Sequence, residues 1–340
     1  MVKALQRQGI KTARLGEPYV GFCVVRRKEI RYKQNGRSYL VLELGDWSGR
    51  LKARIWENVQ HWDRQIPEGA IVKIKAIPQL FNELKELKIQ KMRLKQEQEE
   101  VDIQQLLPSV NKNIMELKSR FHDHFFSIRQ SYLRQLLARI FEDDAFKERY
   151  FLTPGGKLWH HVYLYGMLDH VVGMLEVATT LSKNDPLLHV DLLKTGIILH
   201  DIGKVWELDI TRGFIELSDQ GRLFGHVVRG FSFVEGHVRA MHDFPTALWY
   251  QLGHMILSHP GELAKGAPVV PMTREAMALS LINQLDGNLN ALQRILHADV
   301  QPGAKWSKFV PLLGRFIHVS HPPEQNYQTK DQEEMHLGDP

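Results

Sequence analysis

The sequence predicts a multidomain chain, in which an all-β domain is followed by an all-α helical bundle. Up to about residue 94, short runs rich in β-branched and aromatic residues alternate with turn signals. From residue 113 onwards, apolar residues recur at helical spacing instead. The length of 340 residues is sufficient for two hydrophobic cores, since one domain commonly takes about 100–200 residues.

Charge and histidine are distributed unevenly along the chain. Residues 1–100 hold 21 Lys and Arg against 12 Asp and Glu, whereas the remaining 240 residues hold 23 against 27. Ten of the 17 histidines lie between His160 and His259. A basic first part is typical of a domain that binds a polyanion, and the clustered histidines indicate a separate chemical site in the second part.

The composition also limits the cellular compartments in which the protein is expected. No segment reaches 18 consecutive apolar residues, and Met1 leads into charged residues, so we expect neither a transmembrane helix, a secretory signal nor a membrane partner. A single cysteine excludes an internal disulfide and a thiolate metal cage. We therefore expect a cytoplasmic protein in which Cys23 is a buried strand residue.

The all-β domain is expected over residues 15–97. Strands are predicted at 19–28, 38–44, 51–56, 70–77 and 84–94, with a short polar helix at about 57–64. In the third strand, apolar and basic residues alternate, which predicts one buried and one cationic face. Five short strands with a helix between the third and fourth indicate a small closed barrel of the oligonucleotide-binding (OB) type.

Such barrels bind single strands of nucleic acid by combining a positive groove with aromatic side chains that stack on bases. The candidates are Lys33, Arg37, Tyr39, Lys52, Arg54 and Trp56. Single-stranded nucleic acid is therefore the expected partner. The alternative is that the aromatic residues fill the barrel core and that the basic strand face is only solvated.

The second part of the chain is expected to consist of helices. A polar stretch at 96–108 begins a helical linker over 98–155, with one or two amphipathic helices from 113 to 150. The bundle itself is expected over 156–318. Residues 319–340 are polar and contain Pro322 and Pro323, so we expect a disordered tail.

The apolar run 197–199 leads directly into His200 and Asp201, with Gly203 and Lys204 close behind. Such a run is normally buried, and burying an imidazole and a carboxylate together is costly unless they have partners. A shared metal ion is one arrangement that satisfies both groups. The dipeptide alone is not specific, because His-Asp also occurs at positions 122–123 and 242–243.

Further histidines are placed by the predicted helices. A helix over about 158–182 carries His160, His161 and His170; were it continuous, His160 would lie about 80° from His170 and His161 on the opposite face. A lone histidine in the apolar setting of His170 is more often a satisfied core residue than a ligand. His226 follows Gly225 at the start of a later helix.

The remaining candidates come from the last two helices. His254 and His259 close one helix, which Pro260 ends by disfavouring a helical His259. Asn283 and Asp286 share one face of the next helix. Histidines and carboxylates converging from several helices would form a mixed nitrogen and oxygen site for Mn²⁺, Fe²⁺ or similar ions.

These residues carry a resemblance to the HD phosphohydrolase superfamily. Five segments are similar to YhaM-type 3′-5′ exoribonucleases, which join an OB barrel to an HD domain: 154–178 (PGGKLWHHVYLYGMLDHVVGMLEVA), 196–204 (GIILHDIGK), 225–230 (GHVVRG), 254–261 (HMILSHPG) and 270–276 (VPMTREA). The resemblance covers roughly residues 15–300.

The resemblance implies a metal-dependent 3′-5′ exonuclease that acts on single-stranded RNA and releases nucleoside 5′-monophosphates. Single-stranded DNA is considered as a further substrate. It implies one or two divalent transition-metal ions, Mn²⁺ with Fe²⁺ or Co²⁺ as alternatives. The implied metal ligands are His170, His200, Asp201, His226, His259 and Asp286. The implied catalytic residues are Asp201, Lys204 and His226. Further candidates for metal or substrate contact are His160, His161, His254 and Asn283. A homo-oligomer is also considered.

Two departures from the family pattern leave alternatives open. Relatives usually read His-His-Gly where this chain has Pro260 after His259, and Asp-x-x-Asp where it has Asn283 and Asp286. In the family, the carboxylate at the position of Asn283 is a ligand of the ion that His170 and His200 hold. Either Asp286 replaces this carboxylate, or that ion binds weakly, or catalysis is lost. The other functions considered are an HD phosphohydrolase of nucleotides or cyclic dinucleotides with a regulatory barrel, and a catalytically decayed single-strand-binding protein.

Overall fold

The structure is a computed structural model that describes residues 8–82, 84–102, 105–210, 213–298, 300 and 304–319. The chain forms two compact units, residues 1–287 and residues 288–340. The first unit contains the barrel and every candidate site residue. Of the tail predicted over 319–340, only residue 319 is described, so the predicted disorder lies outside the described residues.

The first part of the chain is a closed five-stranded barrel, as the sequence predicts. Its elements are β1 (Tyr19–Tyr32), β2 (Ser38–Asp46), β3 (Gly49–Ile55), α1 (Val59–Gln65), β4 (Ile71–Phe81) and β5 (Leu84–Leu94). The strand order is β1-β2-β3-β5-β4, antiparallel except for the parallel pair β3 and β5 that closes the barrel. The helix α1 lies between β3 and β4, as in the predicted OB barrel.

Buried and outward-facing side chains alternate along the strands, and this alternation explains how the barrel encloses a hydrophobic core. In β2, Leu40, Leu42 and Leu44 are fully buried, whereas Tyr39 between the turn and this series faces outwards. Side chains alternate across a strand, so one set fills the core and the other forms the outer surface. Cys23 is completely buried in β1, which confirms the sequence expectation.

Three helices, not one or two, follow the barrel. They are α2 (Ile114–Phe126), α3 (Ser131–Ile140) and α4 (Asp144–Leu152). Asn113, Gln130 and Asp143 cap their first turns by accepting backbone N–H groups, which separates the amphipathic stretch into three pieces. These helices share one hydrophobic core with the helices that follow, and the predicted domain limits stay a prediction.

The bundle continues with α5 (Gly166–Asn184), α6 (Val190–Leu199) and α7 (Lys204–Glu207). A two-stranded sheet of β6 (Leu208–Asp209) and β7 (Glu216–Leu217) then leads into α8 (Asp219–Arg239). The last helices are α9 (Thr246–Ser258) and α10 (Arg274–Ala298), with 3₁₀ turns at Leu263–Lys265 and Pro311–Leu313. None of the helices in the described ranges is both long and apolar enough to cross a membrane.

Barrel and bundle contact each other through β1 and the segment that leaves the barrel. Arg26 donates a hydrogen bond of 3.0 Å to the carbonyl of Leu106, and its guanidinium lies 4.4 Å from the ring centre of Phe214. Trp47 donates its backbone N–H to the carbonyl of Gln105 at 3.2 Å. These contacts fix the barrel against the loop that precedes α8.

The helical core yields a matched test on α2. Phe121 is 1% exposed and packs against Phe141, Tyr150 and Phe151, whereas Phe126 on the same helix is 71% exposed. Phe121→Ala should lower the free energy of unfolding by about 3–5 kcal/mol, because it leaves a cavity. Phe126→Ala should change it by less than about 1 kcal/mol. Denaturant titrations followed by helical circular dichroism compare the two variants, and equal losses would contradict this core assignment.

Candidate metal centre

The centre is built around His200 and Asp201, which follow the last residue of α6. Every residue of this helix from Leu192 to Leu199 is buried, and the pair itself is 0% and 2% exposed. The Nδ1–H of His200 donates to the carbonyl of Ile197 at 2.8 Å. Its Nε2 lies 3.2 Å from Asp201 Oδ2 and makes no hydrogen bond within the described part of the chain.

His259 repeats this arrangement at the end of α9. Its Nδ1–H donates to the carbonyl of Ile256 at 2.7 Å, and its Nε2 lies 3.5 Å from Asp201 Oδ1. The helix ends at Ser258, as Pro260 predicts, but His259 itself keeps helical backbone angles (φ −58°, ψ −28°). The helical angle is what brings its ring back to the carbonyl one turn earlier.

His226 is held by a carboxylate instead of a carbonyl. Its Nδ1 lies 2.9 Å from Glu207 Oε1, and this oxygen also accepts the backbone N–H of His226 at 3.0 Å. The Nε2 of His226 lies 3.3 Å from Asp201 Oδ1. Glu207 was not found from the sequence, where nothing distinguishes it from a solvated glutamate.

Two glycines allow this approach. Within α8, Gly225 has φ +69° and ψ 162°, which breaks the helix immediately before His226, as the sequence predicts. A Cβ on Gly203 would lie 2.0 Å from the carbonyl oxygen of His226. Any larger residue at position 203 would therefore push α8 away from Asp201.

Lys204 supports Asp201 from behind. The ammonium group is buried and donates to Asp201 Oδ2 and to the carbonyl of Gly155, both at 2.6 Å. Burial alone would raise the pKa of Asp201, but His200 and Lys204 hold the pKa of this carboxyl well below its usual range. Asp201 is thus an anion with both oxygens turned towards histidines.

His170 occupies the next position along the centre. Its Nδ1 lies 2.6 Å from Asp286 Oδ2 and its Nε2 lies 3.1 Å from Asn283 Oδ1. Burial lowers the pKa of His170, so its ring is neutral and carries one hydrogen. With that hydrogen on Nδ1, the ring donates a hydrogen bond to the carboxylate of Asp286, and the lone pair on Nε2 faces the amide oxygen of Asn283.

His160 and His161 lie in a loop and not on the helix of His170. The predicted helix over 158–182 begins only at Gly166, and His161 (φ 47°) and Tyr165 (φ 62°) have left-handed backbone angles. The expected separation of His161 from His170 around one helix is therefore wrong. Their ring centres are 5.1 Å apart, because the loop folds back onto α5.

The loop connects the centre to a polar network. His161 Nε2 lies 2.7 Å from Asp286 Oδ2, and its Nδ1 lies 2.8 Å from the hydroxyl of Tyr163. This hydroxyl donates to Asp169 Oδ2 at 2.8 Å, and Lys112 pairs with Asp169 Oδ1 at 2.6 Å. Tyr163 and Asp169 were missed by the sequence analysis, although a carboxylate in the apolar run before His170 was a usable signal.

His160 lies on the other side of His170, with ring centres 5.1 Å apart. Burial lowers the pKa of His160 to about 2, so the ring is neutral. His254 lies apart from these side chains, because its Nε2 accepts the backbone N–H of Met272 at 2.8 Å. The structure thus brings together all the candidate histidines of the sequence analysis except His254.

The donor atoms form three groups in which all atoms lie within 4.8 Å of one another. These are His160, His170 and Asp201; His161, His170 and Asp286; and Asp201, His226 and His259. Imidazole nitrogens and carboxylate or amide oxygens that converge inside a protein are satisfied together by a cation that lies between them. The donor set therefore fits a divalent ion with mixed nitrogen and oxygen ligands.

The predicted nucleic-acid residues lie on the outer face of the barrel. Tyr39 stacks on Trp56 with ring centres 4.7 Å apart, and the Lys33 ammonium lies 4.1 Å from the Trp56 ring centre. Lys33, Arg37, Lys52 and Trp56 are exposed. Arg54 differs from the others, because it pairs with the buried Glu86 at 2.8 Å and covers Phe81.

A groove of about 610 Å³ runs beside these side chains. Its lining includes Arg54, Trp56, Trp62, Phe81 and Lys88 from β3, β4, β5 and α1. Aromatic rings and cationic groups thus meet in one concave surface on the barrel. Such a surface matches the requirements of single-strand binding.

Comparisons with known proteins find the same two parts in the same order. The family model described as an OB-fold nucleic acid binding domain matches residues 24–94, and the HD domain model matches residues 167–288. The chain is 28% identical over 302 residues to 3'-5' exoribonuclease YhaM of Oceanobacillus iheyensis, covering 87% of this chain and 92% of that one. These matches confirm the predicted combination of an OB barrel and an HD domain.

Further relatives with the same name cover still more of the chain. The protein from Geobacillus sp. is 29% identical over 317 residues, which is 92% of this chain and 94% of the relative. The protein from Bacillus subtilis is 28% identical over 314 residues, which is 92% and 98% of the two chains. The similarity therefore extends over both domains.

The buried histidines give a pH test on metal-stripped protein. Burial lowers the pKa of His259 to about 4 and that of His160 to about 2, against about 6.5 in an unfolded chain. On unfolding below about pH 6.5, both rings take up protons that they do not hold when folded. The free energy of unfolding should therefore fall as the pH decreases from about 6.5 towards about 4. Denaturant titrations at several pH values measure this slope.

The slope should be smaller in His259→Gln, because one of the buried rings that take up a proton on unfolding is removed. His161 acts in the opposite direction: burial alone would lower its pKa, but Asp169 and Asp286 raise it, so its contribution is lost as the pH rises. It cannot cause a loss of stability in acid. An unchanged slope in His259→Gln would contradict the buried neutral state of this ring.

Proposed function

We propose that this chain, which joins an OB-fold nucleic acid binding domain to an HD domain, is a metal-dependent 3′-5′ exoribonuclease. Its substrate is single-stranded RNA and its products are nucleoside 5′-monophosphates. The observation that carries the proposal is the set of three histidines whose Nδ1 atoms are occupied and whose Nε2 atoms surround Asp201. The similarity to relatives named 3'-5' exoribonuclease over most of the chain gives this centre its reaction.

Asp201 is the residue that two ions would share. Its Oδ1 faces His226 and His259, which would hold one ion, and its Oδ2 faces His200. His170, with Nε2 directed at Asn283, would complete the other site. Two such cations, when bound, activate water as a nucleophile and stabilise the attacking and leaving oxygens of a phosphodiester.

The surrounding side chains fix the ligands. Glu207 and the carbonyls of Ile197 and Ile256 hold three imidazoles in the tautomer that presents Nε2 inwards, which is the usual role of outer partners in metal sites. Lys204 holds Asp201 and the loop of Gly155 together. This supporting role is favoured over the catalytic role that the resemblance implies for Lys204.

Asp286 is likewise better placed to orient ligands than to be one. Its Oδ2 accepts from His161 and His170, so the carboxylate lies behind the His170 ring with respect to Asn283. Burial opposes its ionisation, but the hydrogen bonds from these two histidines keep the pKa of Asp286 below its usual range. We assign Asn283 to the ion and Asp286 to the orientation of His170.

The barrel would deliver the strand. Tyr39 and Trp56 offer a stacked aromatic surface, with Lys33, Arg37 and Lys52 around it for the phosphates. Arg54 would shape the groove by covering Phe81, and it would not neutralise a phosphate because its charge is already paired with Glu86. A phosphodiester chain held here is a better fit than a mononucleotide, which needs no groove outside the HD domain.

Three further assignments belong to this proposal. The native metal is Mn²⁺, with Fe²⁺ and Co²⁺ as the alternatives, because nitrogen-rich donor sets favour transition metals over Mg²⁺. The enzyme acts in the cytoplasm, where RNA is found and a free Cys23 stays reduced. Assembly into a homo-oligomer stays a prediction.

A matched pair of His-Asp dipeptides tests the catalytic assignment. Asp201→Asn should remove bound transition metal and all shortening of an end-labelled strand, because both proposed ion sites lose their shared ligand. Asp123→Asn changes the corresponding residue of the His-Asp pair on α2, where Asp123 is exposed, and should leave both quantities unchanged. Metal analysis and gel electrophoresis of the products compare the variants. Full turnover by Asp201→Asn would exclude the metallohydrolase.

Single-strand binding by the barrel is tested separately. Trp56→Ala should weaken binding of long single-stranded RNA by about 1–3 kcal/mol, roughly 5-fold to 150-fold, because a stacking surface is lost. Lys52→Glu should flatten the salt dependence of binding by roughly one unit of slope. Lys183→Glu, an equal charge reversal on the exposed end of α5, is the control. Fluorescence anisotropy at several salt concentrations measures all three, and equal slopes for both lysine variants would contradict this binding face.

A further inference from the structure

His160 presents an imidazole that the folded chain leaves unsatisfied. Neither of its ring nitrogens has a hydrogen-bond partner among the residues that the structure describes, although both atoms are inaccessible to solvent. A neutral imidazole has one donor and one acceptor, and each costs about 1–3 kcal/mol when it is buried without a partner. Keeping this ring in the centre lowers stability, which indicates that a group from outside the chain completes it.

The loop that carries His160 is held in place. Gly155 donates its N–H to the carbonyl of His161 at 2.9 Å, and Lys204 donates to the carbonyl of Gly155 at 2.6 Å. A Cβ on Gly287 would lie 3.3 Å from the His160 ring, so a glycine of α10 makes room for the imidazole. The ring position is therefore a built feature of the centre.

The His160 ring lies where a ligand of the ion proposed for His170 and Asp201 would lie. Donor atoms of His160, His170 and Asp201 are all within 4.8 Å of one another. This spacing is close to that of two donors sharing one transition-metal ion, which lie about 2.0–2.2 Å from it in the case of zinc. His170 and Asp201 are the two residues that the proposed function already places at this ion.

We propose that His160 is a ligand of the ion held by His170 and Asp201, and that it supplies the donor that Asn283 only partly provides. The inference rests on the proposed metal centre. An amide at position 283 brings no charge and donates weakly, whereas an imidazole is a strong neutral donor. The added nitrogen makes the site favour Mn²⁺, Fe²⁺ or Co²⁺ over Mg²⁺.

The test measures metal directly, without RNA. Metal-stripped wild-type protein, His160→Ala and His160→Gln are titrated with Mn²⁺ by calorimetry, and bound ions per chain are counted after dialysis. Both variants should lose one ion per chain or bind it at least about 10-fold more weakly, which is the lower end of the loss seen for weaker outer-shell contacts. The ion of His226 and His259 should remain. The control is His122→Ala on α2, outside the centre, and it should bind metal as the wild type does.

A rescue variant tests the relation to position 283. If His160 offsets the missing acid, Asn283→Asp should restore the lost ion in His160→Ala. It should also raise the Mg²⁺ affinity of the protein relative to Mn²⁺, because a carboxylate is a harder donor. No restoration would overturn the compensation between the two residues.

Unchanged ion count and Mn²⁺ affinity in both His160 variants would overturn the inference. Thermal unfolding of each metal-stripped variant checks that the chain is folded, and His160→Gln keeps the test open if His160→Ala is not. The outcome is independent of the proposed reaction. A wild-type chain that shortens no RNA but loses an ion with His160 would refute the exonuclease and support the ligand.

Discussion

The carboxylate of Asp201 is the group on which the helical domain is arranged. It is almost completely buried, and its oxygens face the Nε2 atoms of His200, His226 and His259. A buried anion needs compensating positive charge, and the ammonium group of Lys204, 2.6 Å from Oδ2, provides part of it. The Nε2 of His200 beside it has no hydrogen-bond partner among the described residues, and a divalent cation would satisfy this nitrogen and the carboxylate together.

Helix ends deliver three of the proposed ligands, which are His200, Asp201 and His259. His200 and His259 follow the last residues of α6 and α9, where carbonyl groups lack partners within the helix. The Nδ1–H of each ring donates a hydrogen bond to the carbonyl three residues before it, and this bond fixes the tautomer of the ring. A single contact thus satisfies the helix terminus and directs the ligand, which explains why an apolar run can end in an imidazole.

The barrel and the centre place opposite demands on their side chains. The stacking surface of Tyr39 and Trp56 is open, and Trp56 is 46% exposed, because bases must reach it without rearrangement. His200 and His259 are enclosed, since excluding water strengthens electrostatic interactions with a phosphate. The contact of Arg26 with Leu106 and Phe214 holds these two kinds of surface in one unit.

The sequence by itself determined the barrel, the helices and the identity of most site residues. The alternation of apolar residues in β2 and their helical spacing after residue 113 show which face of each element is buried. Both patterns involve residues that are close together in the sequence. The His-Asp pair was recognised from the apolar run before it, and Gly225 marked the start of the helical stretch of His226, because glycine adopts the positive φ found there. Histidine enrichment pointed to the same region without giving any geometry.

Only the tertiary structure decided how the candidates are paired. The loop of His160 and His161 reads as helix, yet the backbone of His161 has φ 47° because it packs against Gly155 and Gly166, where a Cβ would clash. Glu207 reaches His226 across 19 residues, and Arg54 meets Glu86 only because β3 and β5 pair in parallel. Such contacts join residues far apart in the chain, and periodicity carries no record of them.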